Sequence, residues 1–256
     1  MLTALSRINP AQKVYANNST KFDGPFICPL CKEEVIIHKG MVKVHHFKHK
    51  NSSNCNFGAG ETEMHRLIKT SIAKDISDLL KFDLVDLEHD LGYAIPDVYI
   101  SFHNTKIAIE IQKSNVTPGE VLQRTKRYYA NKTAVLWICT PFDISKSDKY
   151  APKAWEKWCH ATYFGRCYYW LEGQILQPVH FDKYMLYREE SSWFEDGSEQ
   201  YGGGYEYHSK RFKTAILGPE VAIAKDFVVK KRDQKMLGSL IVPECLLFLD
   251  NNRKWW

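Results

Sequence analysis

Two carboxylates lie inside short apolar runs of residues 94–114, AIPDVYISFHNTKIAIEIQKS. Asp97 belongs to the first run and Glu110 to the second, and a polar HNT turn separates them. Burying a carboxylate costs free energy unless a cation or hydrogen-bond donors satisfy it. The pair therefore points to a site at which buried negative charge serves a chemical purpose.

Strand alternation decides which neighbours share that site. In IAIEIQKS, Glu110 and Gln112 fall on one face and Lys113 falls on the other. An adjacent strand would bring Asp97 beside Glu110. Two converging carboxylates suit Mg²⁺ or Mn²⁺, and such an ion lowers the pKa of a bound water and stabilises charge that develops on a phosphate. We predict that Asp97 and Glu110 hold a catalytic divalent cation.

A polar stripe precedes these strands. Glu61, His65 and Lys69 are spaced four residues apart, which places them on one face of a helix predicted over residues 61–82. We interpret them as the edge of the site, with Lys69 as a contact to a nucleic-acid backbone. The alternative is a solvated helix face that carries an ordinary Glu–Lys pair.

A second helix, predicted over residues 117–130, carries Arg124 and Tyr128 one turn apart. Arg124 has the chemistry to bind a phosphate, and Tyr128 to form a hydrogen bond or to stack on a base. The alternative for these two residues is a surface ion pair and a packed aromatic ring.

Cysteines and histidines cluster near the amino terminus. CPLC places Cys28 and Cys31 two residues apart, and the HHFKH stretch is followed by Cys55. Structural zinc takes four nitrogen or sulfur ligands, so the three cysteines with either His46 or His49 would complete a set. The alternative is a surface hairpin with incidental cysteines, but the combined spacing favours zinc.

The order of elements predicts an α/β core. Strands are expected in FDLVDLEHDL, YAIPDVYISF, KIAIEIQKS and TAVLWICT, with the two helices between them, which gives a mixed sheet flanked by helices. Residues 190–205 are interpreted as a loop or linker. We divide the chain into a Cys/His subdomain over 1–60, a core over 61–148, and an aromatic and basic α+β region over 149–256.

Composition narrows the class of protein. The 256 residues are 44% hydrophobic, enough for a sizeable core, and the net charge of +5 is compatible with a nucleic-acid partner. No apolar run is long enough to cross a bilayer, and the amino terminus has no signal-peptide pattern. Seven cysteines, without an export signal, argue against a disulfide framework. We expect a soluble, cytoplasmic protein.

The chain resembles the competence CoiA-like nuclease family, a branch of the PD-(D/E)xK superfamily. The segments that carry the resemblance are, in this order, CPLC, HHFKH, ETEMHRLIK, IPDV, AIEIQKS, RTKRYY and AVLWI. The resemblance covers roughly residues 26–140 and implies a restriction-endonuclease-like fold. It implies that Asp97 and Glu110 bind the metal, with Glu61 and His65 at the catalytic edge. Gln112 stands where most of the superfamily has lysine, and only a bulge would bring Lys113 into the site.

The resulting prediction is a Mg²⁺- or Mn²⁺-dependent nuclease that hydrolyses DNA in competence or phage defence, with a structural zinc site. One alternative is an inactive, zinc-containing nucleic-acid-binding module. Another is a subunit of a defence complex that binds a protein partner, or a second copy, through its aromatic carboxyl-terminal region.

Overall fold

The structure, a computed structural model, describes residues 1–51, 54–79, 81–112, 116–141, 149–238 and 240–256. Short strands dominate the amino-terminal part, where they form one antiparallel sheet in the order β2-β1-β3-β4-β5. The elements are β1 (Thr3–Ser6), β2 (Lys13–Tyr15), a 3-10 helix (Lys21–Asp23), β3 (Phe26–Ile27), β4 (Glu34–His38) and β5 (His46–His49). A small apolar cluster around Phe26, Val35 and Phe47 stabilises this sheet.

The central part alternates helices and strands: α1 (Glu63–Ser77), β6 (Leu84–Leu87), β7 (Val98–Phe102), β8 (Thr105–Gln112), α2 (Pro118–Ala130) and β9 (Thr133–Cys139). The β7–β8 hairpin turns at His103 and Asn104, both with left-handed φ, as a two-residue turn of this type requires. Helix α2 then crosses over so that β9 pairs with β8 in parallel. The prediction of α/β architecture with a mixed sheet is confirmed.

Both central helices follow from their sequences. Ile68, Ile72 and Ile76 recur at helical spacing and bury the inner face of α1 against the strands. Thr117 caps α2 with a reciprocal bond to Glu120, and Pro118 occupies the first turn. The predicted helix over 61–82 is shorter than expected, because Thr62 caps its start and the helix ends at Ser77.

The carboxyl-terminal elements are α3 (Ala154–Thr162), β10 (Cys167–Glu172), β11 (Ile175–Arg188), β12 (Ser191–Glu195), β13 (Ser198–Gly202), β14 (Tyr205–Leu217), β15 (Val221–Ala222), α4 (Ile223–Asp226), β16 (Phe227–Arg232), β17 (Lys235–Leu237), β18 (Leu240–Val242) and β19 (Cys245–Asp250). Strands β10, β11 and β14 extend the central sheet, whose order is β14-β11-β10-β9-β8-β7-β6. The side chains of this region and of the central strands pack into one hydrophobic cluster.

Two expectations about local structure are wrong. Residues 190–205 are not a loop, because β12 and β13 form an antiparallel hairpin there. Asp97 lies just before β7 rather than inside it, since the strand begins at Val98. The predicted division of the chain stays a prediction, and its boundary at residue 148 lies outside the described residues.

Candidate active site

A cleft of about 630 Å³ opens where the amino-terminal end of α1 faces the ends of β7 and β8. Six of the predicted site residues line it, together with Glu88 from the segment after β6. The six are Glu61, His65, Lys69, Asp97, Gln112 and Arg124. Residues far apart in sequence therefore line one cleft.

Three groups contact the carboxylate of Asp97. Its Oδ2 accepts hydrogen bonds from the backbone N–H of Ile111 at 2.8 Å and from His65 Nε2 at 3.0 Å. Its Oδ1 lies 3.5 Å from the Lys69 ammonium. Burial raises the pKa of Asp97, but His65 and Lys69 outweigh that effect and hold the pKa well below its usual range. Asp97 is therefore ionised at neutral pH.

Glu110 lies next to Asp97 in the sheet, because the β7–β8 register pairs Val98 with Ile109. Its side chain is fully buried. One carboxylate oxygen accepts a 2.5 Å hydrogen bond from the Tyr128 hydroxyl, and the other is paired with the Arg124 guanidinium. Burial raises the pKa of Glu110 to about 7, against the opposing effect of Arg124.

Lys69 faces inward. Its side chain is 3% exposed, and its ammonium pairs with Glu61 and, at 2.6 Å, with Glu88. Burial lowers the pKa of Lys69, but these carboxylates together with Asp97 reverse that effect and raise it. The placement leaves Lys69 without an exposed surface for a nucleic-acid backbone. It instead neutralises acids beneath the cleft.

Glu88 is a site residue that the sequence reasoning missed. It is 5% exposed, has a left-handed backbone φ of 49°, and accepts hydrogen bonds from the backbone N–H groups of Leu2 and Thr3 at 2.9 Å. The Thr3 hydroxyl donates a further bond at 2.8 Å. The available signal is an acid beside a short apolar strand: Glu88 directly follows β6, as Asp97 directly precedes β7.

His65 completes the polar network at the edge of the cleft. Its Nδ1 lies 3.9 Å from Glu61 Oε1, while its Nε2 donates to Asp97. Burial lowers the pKa of His65, but the carboxylate of Asp97 outweighs burial and raises the pKa above its ordinary value. Glu61 also pairs with the Met1 ammonium at 2.6 Å. The expected grouping of Glu61, His65 and Lys69 is observed, although Glu61 precedes the helix.

The donor set has the right chemistry for a hard divalent cation, since carboxylate oxygens predominate. The charges in this state are already compensated, however. Lys69 and His65 balance Asp97, and Arg124 balances Glu110. The residues fit an ion that binds both acids only if Arg124 moves away from Glu110. Arg124 has room to do so, because its side chain is 35% exposed and lines the cleft.

The remaining predicted residues are placed as follows. Tyr128 is 1% exposed and therefore presents no ring face on which a base could stack. Its hydroxyl donates a hydrogen bond to Glu110. The side chain of Gln112 lines the cleft at the end of β8. Lys113 lies outside the described residues.

A second cluster lies in the amino-terminal sheet. The ligand atoms of Cys28, Cys31, His49 and Cys55 all lie within 4.8 Å of one another. The Sγ atoms of Cys28 and Cys55 are 3.9 Å apart, close to the roughly 3.8 Å edge of a tetrahedron with Zn–S bonds of about 2.3 Å. The four residues are compatible with a zinc site.

His46 is not part of that cluster. Its Nδ1 donates to the Val44 carbonyl at 2.9 Å, and its ring stacks on His38 at 5.3 Å. His49 lies three residues further along the same strand and therefore faces the opposite side, where its Nε2 lies 3.2 Å from Cys31 Sγ. Strand alternation separates the two candidates that the sequence left open.

Comparison with known families agrees with this layout. The family described as Competence protein CoiA, N-terminal domain, matches residues 11–58, and Competence protein CoiA, nuclease-like domain, matches residues 87–171. Together the two matches span just over half of the chain. The chain belongs to the CoiA-like family of competence proteins. No curated protein and no solved structure matches the chain.

The two CoiA matches fall on the two clusters. The N-terminal match contains all four residues of the Cys/His cluster. The nuclease-like match contains Asp97, Glu110 and Gln112 and the helix that carries Arg124 and Tyr128. Helix α1 lies between the two matches. In the part of the chain that the structure describes, no helix has the length and apolarity needed to span a membrane.

Proposed function

We propose that the cleft hydrolyses phosphodiester bonds in DNA with the help of Mg²⁺ or Mn²⁺ held by Asp97 and Glu110. The observation that carries the proposal is the nuclease-like match over the segment that places these two acids side by side. A divalent cation bound there would activate water and stabilise the charge that develops on the phosphate.

The surrounding side chains would position the reactants. The amide of Gln112, at the edge of the cleft, can orient the attacking water or the phosphate, but it supplies no positive charge. Lys69, 3.5 Å from Asp97, offsets the negative charge of the acids beneath the cleft. His65 fixes the orientation of the Asp97 carboxylate through its 3.0 Å hydrogen bond.

Arg124 would link substrate binding to the metal site. Its side chain, 35% exposed, is more exposed than those of Lys69 and His65 in the same cleft. An arginine guanidinium can donate two hydrogen bonds to one phosphate. When Arg124 turns toward a DNA phosphate, the Glu110 carboxylate loses its counter-charge and becomes available to a divalent cation. The metal-free enzyme would then keep Glu110 neutralised until DNA arrives.

The Cys/His cluster would hold Zn²⁺ and stabilise the amino-terminal sheet, whose apolar cluster is small. The biological setting that fits such an enzyme is the processing of DNA in the cytoplasm, during competence or in defence against phage.

The direct test is cleavage of supercoiled plasmid and single-stranded DNA by the purified protein, with Mn²⁺ or Mg²⁺ present and then removed by EDTA. We expect metal-dependent cleavage, and a loss of at least about a hundredfold in Asp97→Asn and in Glu110→Gln. Asp90→Asn is the matched control, because Asp90 is exposed and accepts a hydrogen bond from the backbone N–H of Gly92. Full activity in the Glu110→Gln variant would refute the assignment.

A second function is favoured by one observation. Both oxygens of Glu110 are satisfied by Arg124 and Tyr128, which would suit an inactive module that binds nucleic acid without cutting it. Binding of DNA without cleavage of either substrate in either metal would support that function instead.

A further inference from the structure

Residues 186–207 form an exposed arm. Beyond the register shift between Lys183 and Met185, β11 and β14 continue as a two-stranded ribbon, and the β12–β13 hairpin forms its tip. None of the 22 arm residues is buried, and 19 are exposed. Two-stranded ribbons of this kind are marginally stable in water on their own.

The arm displays aromatic side chains to solvent. Phe194 is 78% exposed, Tyr201 75% and Tyr187 54%. The register pairs Phe194 with Glu199 and Ser192 with Tyr201, so Phe194 and Tyr201 share one face of the tip. Concentrated exposed aromatic surface of this kind marks interaction sites in soluble proteins.

The charge of the arm indicates what it binds. It carries six acidic residues and one arginine, a net charge of −5, in a chain whose net charge is +5. The rest of the chain therefore carries +10. An acidic arm repels the phosphates of nucleic acid, so a protein surface that is both basic and apolar is the complementary partner.

The chain itself has such a surface. A groove of about 990 Å³ crosses the amino-terminal sheet, and its exposed lysines are Lys21, Lys39, Lys43 and Lys48. Met41 and Val42 in its wall are almost completely exposed. Among the described residues of its lining the one acid is Glu34, which pairs with Lys50 at 2.8 Å.

We propose that the arm of one copy docks in the lysine groove of a second copy. Phe194 and Tyr201 would cover Met41 and Val42, while Glu199, on the same face of the tip, would face the groove lysines. Glu195, on the other face of the tip, would add to the negative charge of the arm. Because every copy carries an arm and a groove, each of two copies can place its arm in the groove of the other, which buries both arms and both grooves. No arm residue lines the catalytic cleft, so the inference stands apart from the proposed function.

The test is sedimentation of the full-length protein over a range of concentrations at low and high salt. We expect reversible self-association that weakens as salt rises, because opposite charges face each other across the contact. Glu195→Lys with Glu199→Lys in one chain, and Lys39→Glu with Lys43→Glu in another, should each weaken association at least about tenfold. Mixing these two variants should give a heterodimer, because the acidic arm of the second meets the lysine groove of the first, and the charge-reversed arm meets the charge-reversed groove.

Matched variants distinguish this contact from general charge effects. Lys74→Glu with Lys106→Glu changes two exposed lysines outside the groove and should leave association unchanged. Phe194→Ser with Tyr201→Ser should abolish it. A wild-type protein that stays monomeric up to about 100 µM would overturn the proposal, as would a dimer that is insensitive to these arm and groove changes.

Discussion

A single hydrogen bond, from the Tyr128 hydroxyl, favours the ionised form of Glu110. The hydroxyl donates at 2.5 Å to a buried carboxylate whose pKa burial has raised to about 7. If catalysis needs ionised Glu110, activity must rise with pH through this region. A donor to the ionised form lowers the pKa, so its loss must raise the pKa further.

Tyr128→Phe should therefore move the acidic limb of the pH–activity profile to higher pH by about one unit, with little change on the alkaline side. The measurement is cleavage rate between pH 5.5 and 9. Tyr129→Phe, on the same helix, removes a hydroxyl that bonds Glu244 and should not move the limb. If the acidic limb of the Tyr128→Phe profile coincides with that of the wild type, ionisation of Glu110 does not limit the cleavage rate.

Lys69 allows a test of how much a buried ammonium contributes to the free energy of unfolding. Its ammonium is the shared counter-ion of Glu61, Glu88 and Asp97. Lys69→Met should lower the free energy of unfolding by about 3–5 kcal/mol, because three buried acids lose their common partner. Lys74→Met, at an exposed position of the same helix, should change it by less than about 0.5 kcal/mol. Denaturant unfolding measures both, and equal effects would contradict the inward placement of Lys69.

The sequence predicted those site residues that carry a local signal. Asp97 and Glu110 are acids in or beside apolar strands, and alternation along the strand indicated which neighbours share a face. It did not predict that Lys69 is buried, because its partner Glu88 comes from another segment. It also left His46 and His49 open, since both spacings suit zinc: alternation puts them on opposite faces of the strand, and the fold determines which face meets the cysteines.

At the scale of elements, local chemistry predicted α2 and the β7–β8 turn well. Thr117, Pro118 and Glu120 define the start of α2, and the positions of His103 and Asn104 define the turn. The β12–β13 hairpin was missed because its segment is rich in serine, glycine and acidic residues, and it lies outside the hydrophobic cluster. Its signal is the Asp196–Gly197 pair, whose left-handed φ values form the tight turn.

The amino-terminal sheet should depend on its Cys/His cluster. Its apolar cluster is small, so a metal bound by Cys28, Cys31, His49 and Cys55 would supply much of its stability. Removing the metal with a chelator, or Cys31→Ser, should speed hydrogen exchange in β4 and β5 and leave β8 and β9 unchanged. A protein isolated without zinc, with exchange unaffected by the chelator, would contradict this dependence.

At the scale of the whole molecule, charge is segregated. An acidic arm projects from a chain that is otherwise basic, and a compensated group of buried charges lies beneath the cleft. The amino-terminal segment joins this group through the bonds of Leu2 and Thr3 to Glu88. Periodicity along the sequence could not predict the buried charges beneath the cleft, because they arise from contacts between distant segments.

The central claim is that Asp97 and Glu110 share a divalent cation once DNA draws Arg124 away. The most direct measurement is a crystal structure with Mn²⁺ and a cleavage-resistant phosphorothioate oligonucleotide, with the metal located by anomalous scattering. We expect a peak that contacts both carboxylates, and Arg124 turned onto a phosphate. An oligonucleotide bound in the cleft with Arg124 still on Glu110, and no peak between the acids, would contradict the account.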